Sequence, residues 1–76
     1  MYILSQDKDC IYDLNKFAEV RMQDCAICLS GKNNNGGVVI GEYDRYENAI
    51  TVMKRICGAL SDGVAVFVMP GEVDGQ

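Results

Sequence analysis

The hydrophobic period of this chain changes once, at Asp44, and that change restricts the fold more than any other feature of the sequence. Before Asp44 the apolar residues come in short runs that alternate with polar ones, as in "FAEVRM" at residues 17–22, and this period of two is typical of half-buried strands. After Asp44 they recur at spacings of three and four, which predicts an amphipathic helix. Strands followed by a single helix indicate an α+β fold.

The short apolar runs predict an antiparallel meander sheet of about five strands. Turn-forming residues separate the runs, and "GKNNNGG" at residues 31–37 predicts the clearest hairpin loop. After the helix, "VAVFVMP" predicts a final strand at residues 64–69 that ends at Pro70 and pairs within the chain or across a dimer. Its unbroken apolar character favours burial on both faces.

The helix is predicted at about residues 45–59. Asp44 is expected to cap its N-terminus, with Glu47 three residues later, and Gly63 is available for a left-handed C-terminal cap. One face of the helix should pack across the sheet. The residues expected on that face are Tyr46, Ala49, Ile50, Met53, Ile56, Cys57 and Leu60.

Length and composition predict one α+β domain at residues 1–70 and a flexible acidic tail at residues 71–76. No apolar run approaches the roughly 20 residues that cross a bilayer, and the first residues lack the pattern of a signal peptide. We therefore expect a cytoplasmic protein that does not enter a membrane. The net charge is −4, which repels polyanions, so we expect neither DNA nor RNA as a partner.

The C-x-x-C sequence at Cys25 and Cys28 is the one stretch typical of a redox or metal site. On an extended strand these two positions face opposite ways, and the chain has no His and no second C-x-x-C to complete a zinc site. We interpret these two thiols, together with Cys10 and Cys57, as buried free cysteines that pack as small hydrophobes. Zinc binding and a disulfide are the alternatives, and no cofactor is expected.

Signatures of catalysis are missing from the sequence. Without His the commonest general base is absent, and no Ser lies in a G-x-S-x-G elbow. Glu42 and Asp44 are close in sequence, but solvent exposure accounts for the first and helix capping for the second. We therefore expect a protein that is not an enzyme.

Residues that could bind a ligand remain. Arginine and lysine can contact phosphate oxygens, and aromatic rings can stack on a base. The candidates are Arg21, Arg45, Lys54 and Arg55 for phosphate, and Tyr46 and Phe67 for a base. The alternative is that the four basic residues are solvated surface charges and that the two rings belong to the core.

Three segments of the chain resemble a family of small proteins from prophages and Gram-positive bacteria. These segments are "MYILSQDKD" at the start, "IGEYDRYENAITVMKRICGA" in the middle and "VFVMP" near the end. In layout the chain is also similar to phage anti-Thoeris sponge proteins, which bind cyclic ADP-ribose-type signals without cleaving them. It is shorter than those proteins between the helix and the last strand, and no ligand residue of theirs is carried over to it.

Two functions follow as hypotheses. The resemblance implies a non-enzymatic immune-evasion protein, acting in the cytoplasm of a bacterial host, that sequesters a cyclic nucleotide in a pocket between subunits. The alternative is an interaction module that docks on a host protein and inhibits it through a sheet edge or a helix flank. A purely structural role is a third. We expect a homodimer or higher oligomer, because the final strand is too apolar for a lone exposed edge.

Overall fold

The computed structural model describes residues 1–31 and 37–71. Most of the predicted hairpin loop (residues 32–36) and of the predicted tail (residues 72–76) lies outside these ranges. Within the described ranges, one α-helix and six strands form the fold. In chain order the elements are β1 (Tyr2–Leu4), β2 (Ile11–Asp13), a 3-10 turn (Leu14–Lys16), β3 (Phe17–Gln23), β4 (Ala26–Gly31), β5 (Val38–Glu42), α1 (Tyr46–Ser61) and β6 (Val66–Val68).

The first sheet has the strand order β2-β1-β6. β2 runs antiparallel to β1, with Tyr12 opposite Ile3, whereas β6 runs parallel to β1, with Phe67 beside Ile3. A parallel neighbour needs a long connection, and here that connection includes β2, the second sheet and the helix. The final strand therefore pairs within the chain along one of its edges.

The second sheet has the order β3-β4-β5, and both of its pairings are antiparallel. The alternation predicted for β3 is confirmed, because Val20 and Met22 are half-buried while Glu19 and Arg21 are exposed. A bulge between Phe17 and Glu19 shifts the register and places Phe17 on the half-buried side. The sheet is thus a three-stranded meander with one face on the core.

The helix ends in the way that Gly63 predicts. This residue has φ +70°, its N–H donates to the carbonyl oxygen of Leu60 (3.3 Å), and the N–H of Val64 donates to that of Ala59 (3.0 Å). The pair of bonds is a Schellman motif, which satisfies two carbonyl groups at the helix end. No helix in the described part of the chain is long and apolar enough to cross a membrane.

The helix begins differently from the prediction. Its N-cap is Arg45, whose side chain makes no capping hydrogen bond, so the prediction of Asp44 as the cap was wrong. Asp44 lies one residue outside the cap position. The carbonyl oxygen of Arg45 starts the helix by accepting the N–H groups of Asn48 (3.0 Å) and Ala49 (3.2 Å).

The predicted α+β class with an antiparallel sheet is confirmed, but the helix buries a face that is rotated from the expected stripe. Tyr46 and Leu60 are exposed, and so is Cys57. Positions 49 and 59 on the buried face are alanines, and small residues let a helix approach a sheet closely. The buried helix residues are Asn48, Ala49, Val52, Ile56 and Ala59.

One core joins the two sheets and the helix, and α1 packs on β4. Of the predicted strand at residues 64–69, only Met69 is fully buried, and Val66 and Val68 are about half exposed. The expectation that both faces of this strand are buried was therefore wrong, because the helix and the second sheet cover only its inner face. The buried cluster consists of Ile3, Ile27, Leu29, Ile40, Tyr43, Ala49, Val52, Ile56 and Met69.

Gln6 connects the two sheets. It lies in the loop that follows β1, directly after Ser5. Its main-chain N–H donates to the carbonyl oxygen of Ile40 in β5 (2.8 Å). Its side-chain oxygen accepts the N–H of Glu42 (2.8 Å), and its side-chain NH₂ group donates to the carbonyl oxygen of Glu42 (2.9 Å). The amide of Gln6 thus bonds β5 as the backbone of a neighbouring strand would.

The segment after β6 is held by one hydrogen bond at each of three successive residues. The N–H of Met69 donates to the carbonyl oxygen of Leu4 (3.1 Å). The carbonyl oxygen of Pro70 accepts the hydroxyl of Tyr43 (2.8 Å), and that of Gly71 accepts the side-chain NH₂ of Gln6 (2.5 Å). A Cβ at Gly41 would lie 2.9 Å from Cε of buried Met69, so any side chain at this position requires the Met69 side chain to shift.

Replacing Gln6 should weaken the whole fold. We expect Gln6→Ala to lower the free energy of unfolding by about 1–2 kcal/mol, because three hydrogen bonds are lost from partly hydrated groups. Urea denaturation measures this change. Asp9→Ala in the same exposed loop is the control, since within the described residues the Asp9 side chain makes no hydrogen bond or ion pair, and it should change stability by less than about 0.5 kcal/mol. Equal effects of the two substitutions would contradict the role given to Gln6.

Candidate binding surfaces

A surface depression of about 340 Å³ lies where the loop after β1 meets β5. Gln6 and Glu42, which are hydrogen-bonded to each other, line it together with the acidic residue Asp7 and exposed Val39. None of the basic residues predicted to bind phosphate lines this depression. Two carboxylates repel a phosphate group, so the depression does not suit an anionic ligand.

The turn beside the depression is held by local hydrogen bonds. The hydroxyl of buried Ser5 donates to Oδ1 of Asp7 (2.6 Å) and accepts the N–H of Cys10 (3.2 Å), while the N–H of Asp9 also donates to Oδ1 of Asp7 (3.1 Å). The Ser5 hydroxyl and then the Asp9 N–H hold the pKa of Asp7 below its ordinary value of 3.8. Lys8 adopts φ +65° to close the turn. The predicted turn at residues 5–9 is confirmed.

Two of the predicted phosphate ligands, Arg21 and Arg45, are exposed and lie beside carboxylates. Nε of Arg21 is 3.8 Å from Oε2 of Glu19, on the same face of β3, and Nε of Arg45 is 3.9 Å from Oε1 of Glu47. Exposed pairs of this kind contribute little to stability. They leave both guanidinium groups accessible but partly neutralised by a neighbour.

The helix points its candidate residues in different directions. At about 100° per residue, Lys54 lies opposite the buried face, and Tyr46 and Arg55 lie on its two flanks. All three are exposed. Of the candidate pairs, Arg45 and Tyr46 combine a guanidinium and an aromatic ring at consecutive positions, at the start of the helix.

Phe67 lies in the first sheet rather than on the helix surface. It is half-buried and packs against the core beside Ile3, on the same face of the sheet as Tyr12. Tyr12 in turn makes an edge-on contact with Phe17, with ring centroids 6.0 Å apart. The surroundings of Phe67 are therefore those of a core residue.

All four cysteines lie within the described ranges and are free thiols. Only Cys28 is buried, and Cys25 is half-buried. Cys10 and Cys57 are exposed, so the interpretation of these two as buried hydrophobes was wrong; an exposed loop and the solvent side of the helix carry them. Residues 1–31 and 37–71 contain no cluster of three or more His, Cys, Asp or Glu that could hold a metal ion.

The outer face of the first sheet is apolar and exposed. Strand alternation places two rows of side chains on this face: Val68, Leu4 and Ile11 in one row, and Val66, Tyr2 and Asp13 in the next. Ile11 is 64% exposed, and Tyr2, Val66 and Val68 are each about half exposed. We call these five apolar residues, without Asp13, the outer face.

Sequence reasoning missed the outer face because it treated "VAVFVMP" as buried on both sides. The signal that identifies the face is the count of strands, since a helix of 16 residues cannot cover two three-stranded sheets. The strand count alone does not indicate which of the two sheets keeps an uncovered face. The contacts between α1 and β4 decide which residues remain exposed.

Comparison of this chain with protein-family models, with curated proteins and with solved structures finds no match. The surfaces described above therefore have to be interpreted from their own chemistry.

The turn at Ser5 predicts a measurable shift in acid titration. Ser5→Ala removes the strongest hydrogen bond to Asp7, and we expect the pKa of Asp7 to rise toward 3.8. Carboxyl ¹³C NMR across pH 2–6 measures it, with Asp7→Asn used to assign the signal. Since the folded pKa lies below the unfolded one, the stability that Asp7 contributes is present above pH 3.8 and is lost as the pH falls through the folded pKa.

The same hydrogen bonds predict that Asp7→Asn loses part of the acid dependence of stability, as measured by urea denaturation at several pH values below 5. An Asp7 signal that titrates identically with and without Ser5 would contradict this account.

Proposed function

We propose that this protein acts by binding another protein, without catalysis, through the outer face of its first sheet. The observation that supports the proposal is the exposure of four large apolar side chains on one side of three neighbouring strands: Tyr2, Ile11, Val66 and Val68. Exposed apolar residues scattered singly need no explanation, whereas a contiguous group marks an interaction surface.

The area of this face is sufficient for the centre of an interface. Four large side chains, three about half exposed and Ile11 64% exposed, present on the order of 400 Å² of apolar surface, which lies within the range of the largest patches on single chains. Burying that area stabilises a complex by about 25 cal/mol per Å² before the cost of association is subtracted. The outer face is apolar and carries the aromatic Tyr2 on its middle strand, and this is the composition of an interface core.

Charge favours a particular kind of partner. Asp13 is the acidic residue that shares the sheet surface with the outer face, and the chain as a whole carries a net charge of −4. The strand residues of this face include no Lys or Arg. A partner with an apolar patch bordered by Lys or Arg would complement it, and the charges would accelerate association.

A charged residue on the outer face should abolish binding. A photo-reactive amino acid placed at Ile11 identifies the contacting protein, and calorimetry with that purified protein then compares wild type with Ile11→Asp. We expect affinity to fall at least about 30-fold, because a carboxylate is buried unpaired at the interface. The matched control is Val39→Asp, on β5 of the other sheet, where a valine is 54% exposed; it should leave affinity within about threefold.

Both aspartate variants carry the same added charge, so equal effects would mean that net charge, and not the outer face, determines binding. Circular dichroism of both variants shows whether each retains its fold. Affinity that is unchanged by Ile11→Asp would contradict the proposal.

Capture of a cyclic nucleotide is a second candidate. It is favoured by the adjacent positions and exposure of a guanidinium and an aromatic ring, at Arg45 and Tyr46. Phosphate contacts and base stacking need these two groups together. Arg21, Lys54 and Arg55 lie elsewhere on the surface, so a second subunit would have to bring one of them to the same ligand.

Nucleotide capture predicts thermal stabilisation by one ligand. Differential scanning fluorimetry against cyclic dinucleotides, cyclic trinucleotides and cyclic ADP-ribose isomers should raise Tm by about 4 °C or more for the correct ligand at saturating concentration. Arg45→Gln should remove the shift, while Lys16→Gln, an exposed basic residue of the 3-10 turn, should preserve it. The absence of any shift across the series would exclude this candidate.

A further inference from the structure

We infer that two copies of this chain join through the free edge of β6, and that this pairing extends the outer face into one continuous surface. The inference deepens the proposed function and rests on it for the use of that surface. The edge pairing itself rests on separate observations, which concern the backbone of β6 and the edges of the second sheet.

The hydrogen bonds of β6 show which of its backbone groups are unused. The N–H of Tyr2 donates to the carbonyl oxygen of Ala65 (2.8 Å), and the N–H of Met69 donates to that of Leu4 (3.1 Å). Backbone groups of alternate residues point to the same side of a strand, so Ala65 and Met69 direct these groups to β1. The N–H and C=O groups of Val66 and Val68 therefore point to the open side, where β6 has no neighbouring strand within the described residues.

A second copy fits these groups with the correct register. An antiparallel pair centred on a two-fold axis at Phe67 places Val66 opposite Val68 of the second copy. In an antiparallel ladder, residues whose N–H and C=O groups face the partner exchange both bonds. The pair thus forms four hydrogen bonds between chains, and the interface is isologous, as in most homodimers.

The edges of the second sheet are protected in ways that β6 is not. β3 has the exposed charged residues Glu19 and Arg21 and a bulge next to Phe17, all of which oppose edge pairing. The free side of β5 is occupied by Gln6. β6 has neither charge nor bulge, and its exposed residues are valines, which favour strand pairing.

In the resulting dimer, the two outer faces form one larger apolar surface. In an antiparallel pair, residues directly opposite each other lie on the same face, so both outer faces lie on one side of a six-stranded sheet. The apolar surface doubles from on the order of 400 Å² to about 800 Å², which is the area that a stable interface of ordinary size takes from each partner. One copy alone supplies about half of that area.

The experiment compares Val66→Pro with Val66→Thr. Proline removes the outward N–H and blocks the edge without removing an internal hydrogen bond, whereas threonine keeps the N–H and the branched shape. In light scattering over a concentration series into the high micromolar range, wild type and Val66→Thr should reach twice the 8.4 kDa chain mass, and Val66→Pro should stay at the mass of one chain. A wild type that is monomeric throughout, or a Val66→Pro that still dimerises, would overturn the inference.

Hydrogen exchange on wild type covers the case in which Val66→Pro fails to fold. The amides of Val66 and Val68 should exchange at least about tenfold more slowly at high than at low protein concentration, and unchanged rates would overturn the edge pairing. Ile11 lies on the far strand β2, so Ile11→Asp should leave the dimer intact. If the protein is a dimer and Ile11→Asp leaves its affinity for the partner protein unchanged, only the proposed function is refuted. If the protein is a monomer and its affinity for the partner protein requires Ile11, only the edge pairing is refuted.

Discussion

The fold depends on the side chain of Gln6, because its amide continues the hydrogen-bonding of the first sheet into the second. Neither three-stranded sheet is large enough to be stable alone, and the two share one core with a single helix. Through Gln6 the chain that leaves β1 is bonded to Ile40 and Glu42 of β5, and also to Gly71 beyond β6. Substituting one residue in an exposed loop therefore affects both sheets.

Segments that lie far apart in the sequence meet at this point. Ser5 and Gln6 come from the start of the chain, Tyr43 from the end of β5, and Pro70 from the end of β6. The resemblance described above rests on the same segments. In this chain their contacts have a structural role: Ser5 closes a turn, the amide of Gln6 bonds to β5, and the hydroxyl of Tyr43 donates to a carbonyl oxygen. These contacts need no ligand, so the motif residues by themselves are not evidence for nucleotide binding.

The sequence was sufficient to predict the strands and the helix, since each depends on the local period of its own residues. The parallel pairing of β1 with β6 could not be predicted, because it joins residues such as Tyr2 and Val66 that share no local pattern. The prediction of the buried helix face was wrong for a related reason. Two stripes of helix residues have the same spacing, and only contact with β4 selects the one that contains Val52. The candidate ligand residues were chosen by chemical type, which does not specify direction, and so Phe67 faces the core while Lys54 faces away from it.

The order of strands in the first sheet also governs when the molecule can form. β1 is the middle strand, yet one of its two neighbours is β6, which follows the whole second sheet and the helix in the chain, so a nascent polypeptide exposes the unpaired side of β1 until β6 has been made. Contacts of such long sequence separation close slowly. During that interval the apolar strand is open to foreign segments, and we expect the isolated N-terminal portion to aggregate rather than to fold by itself.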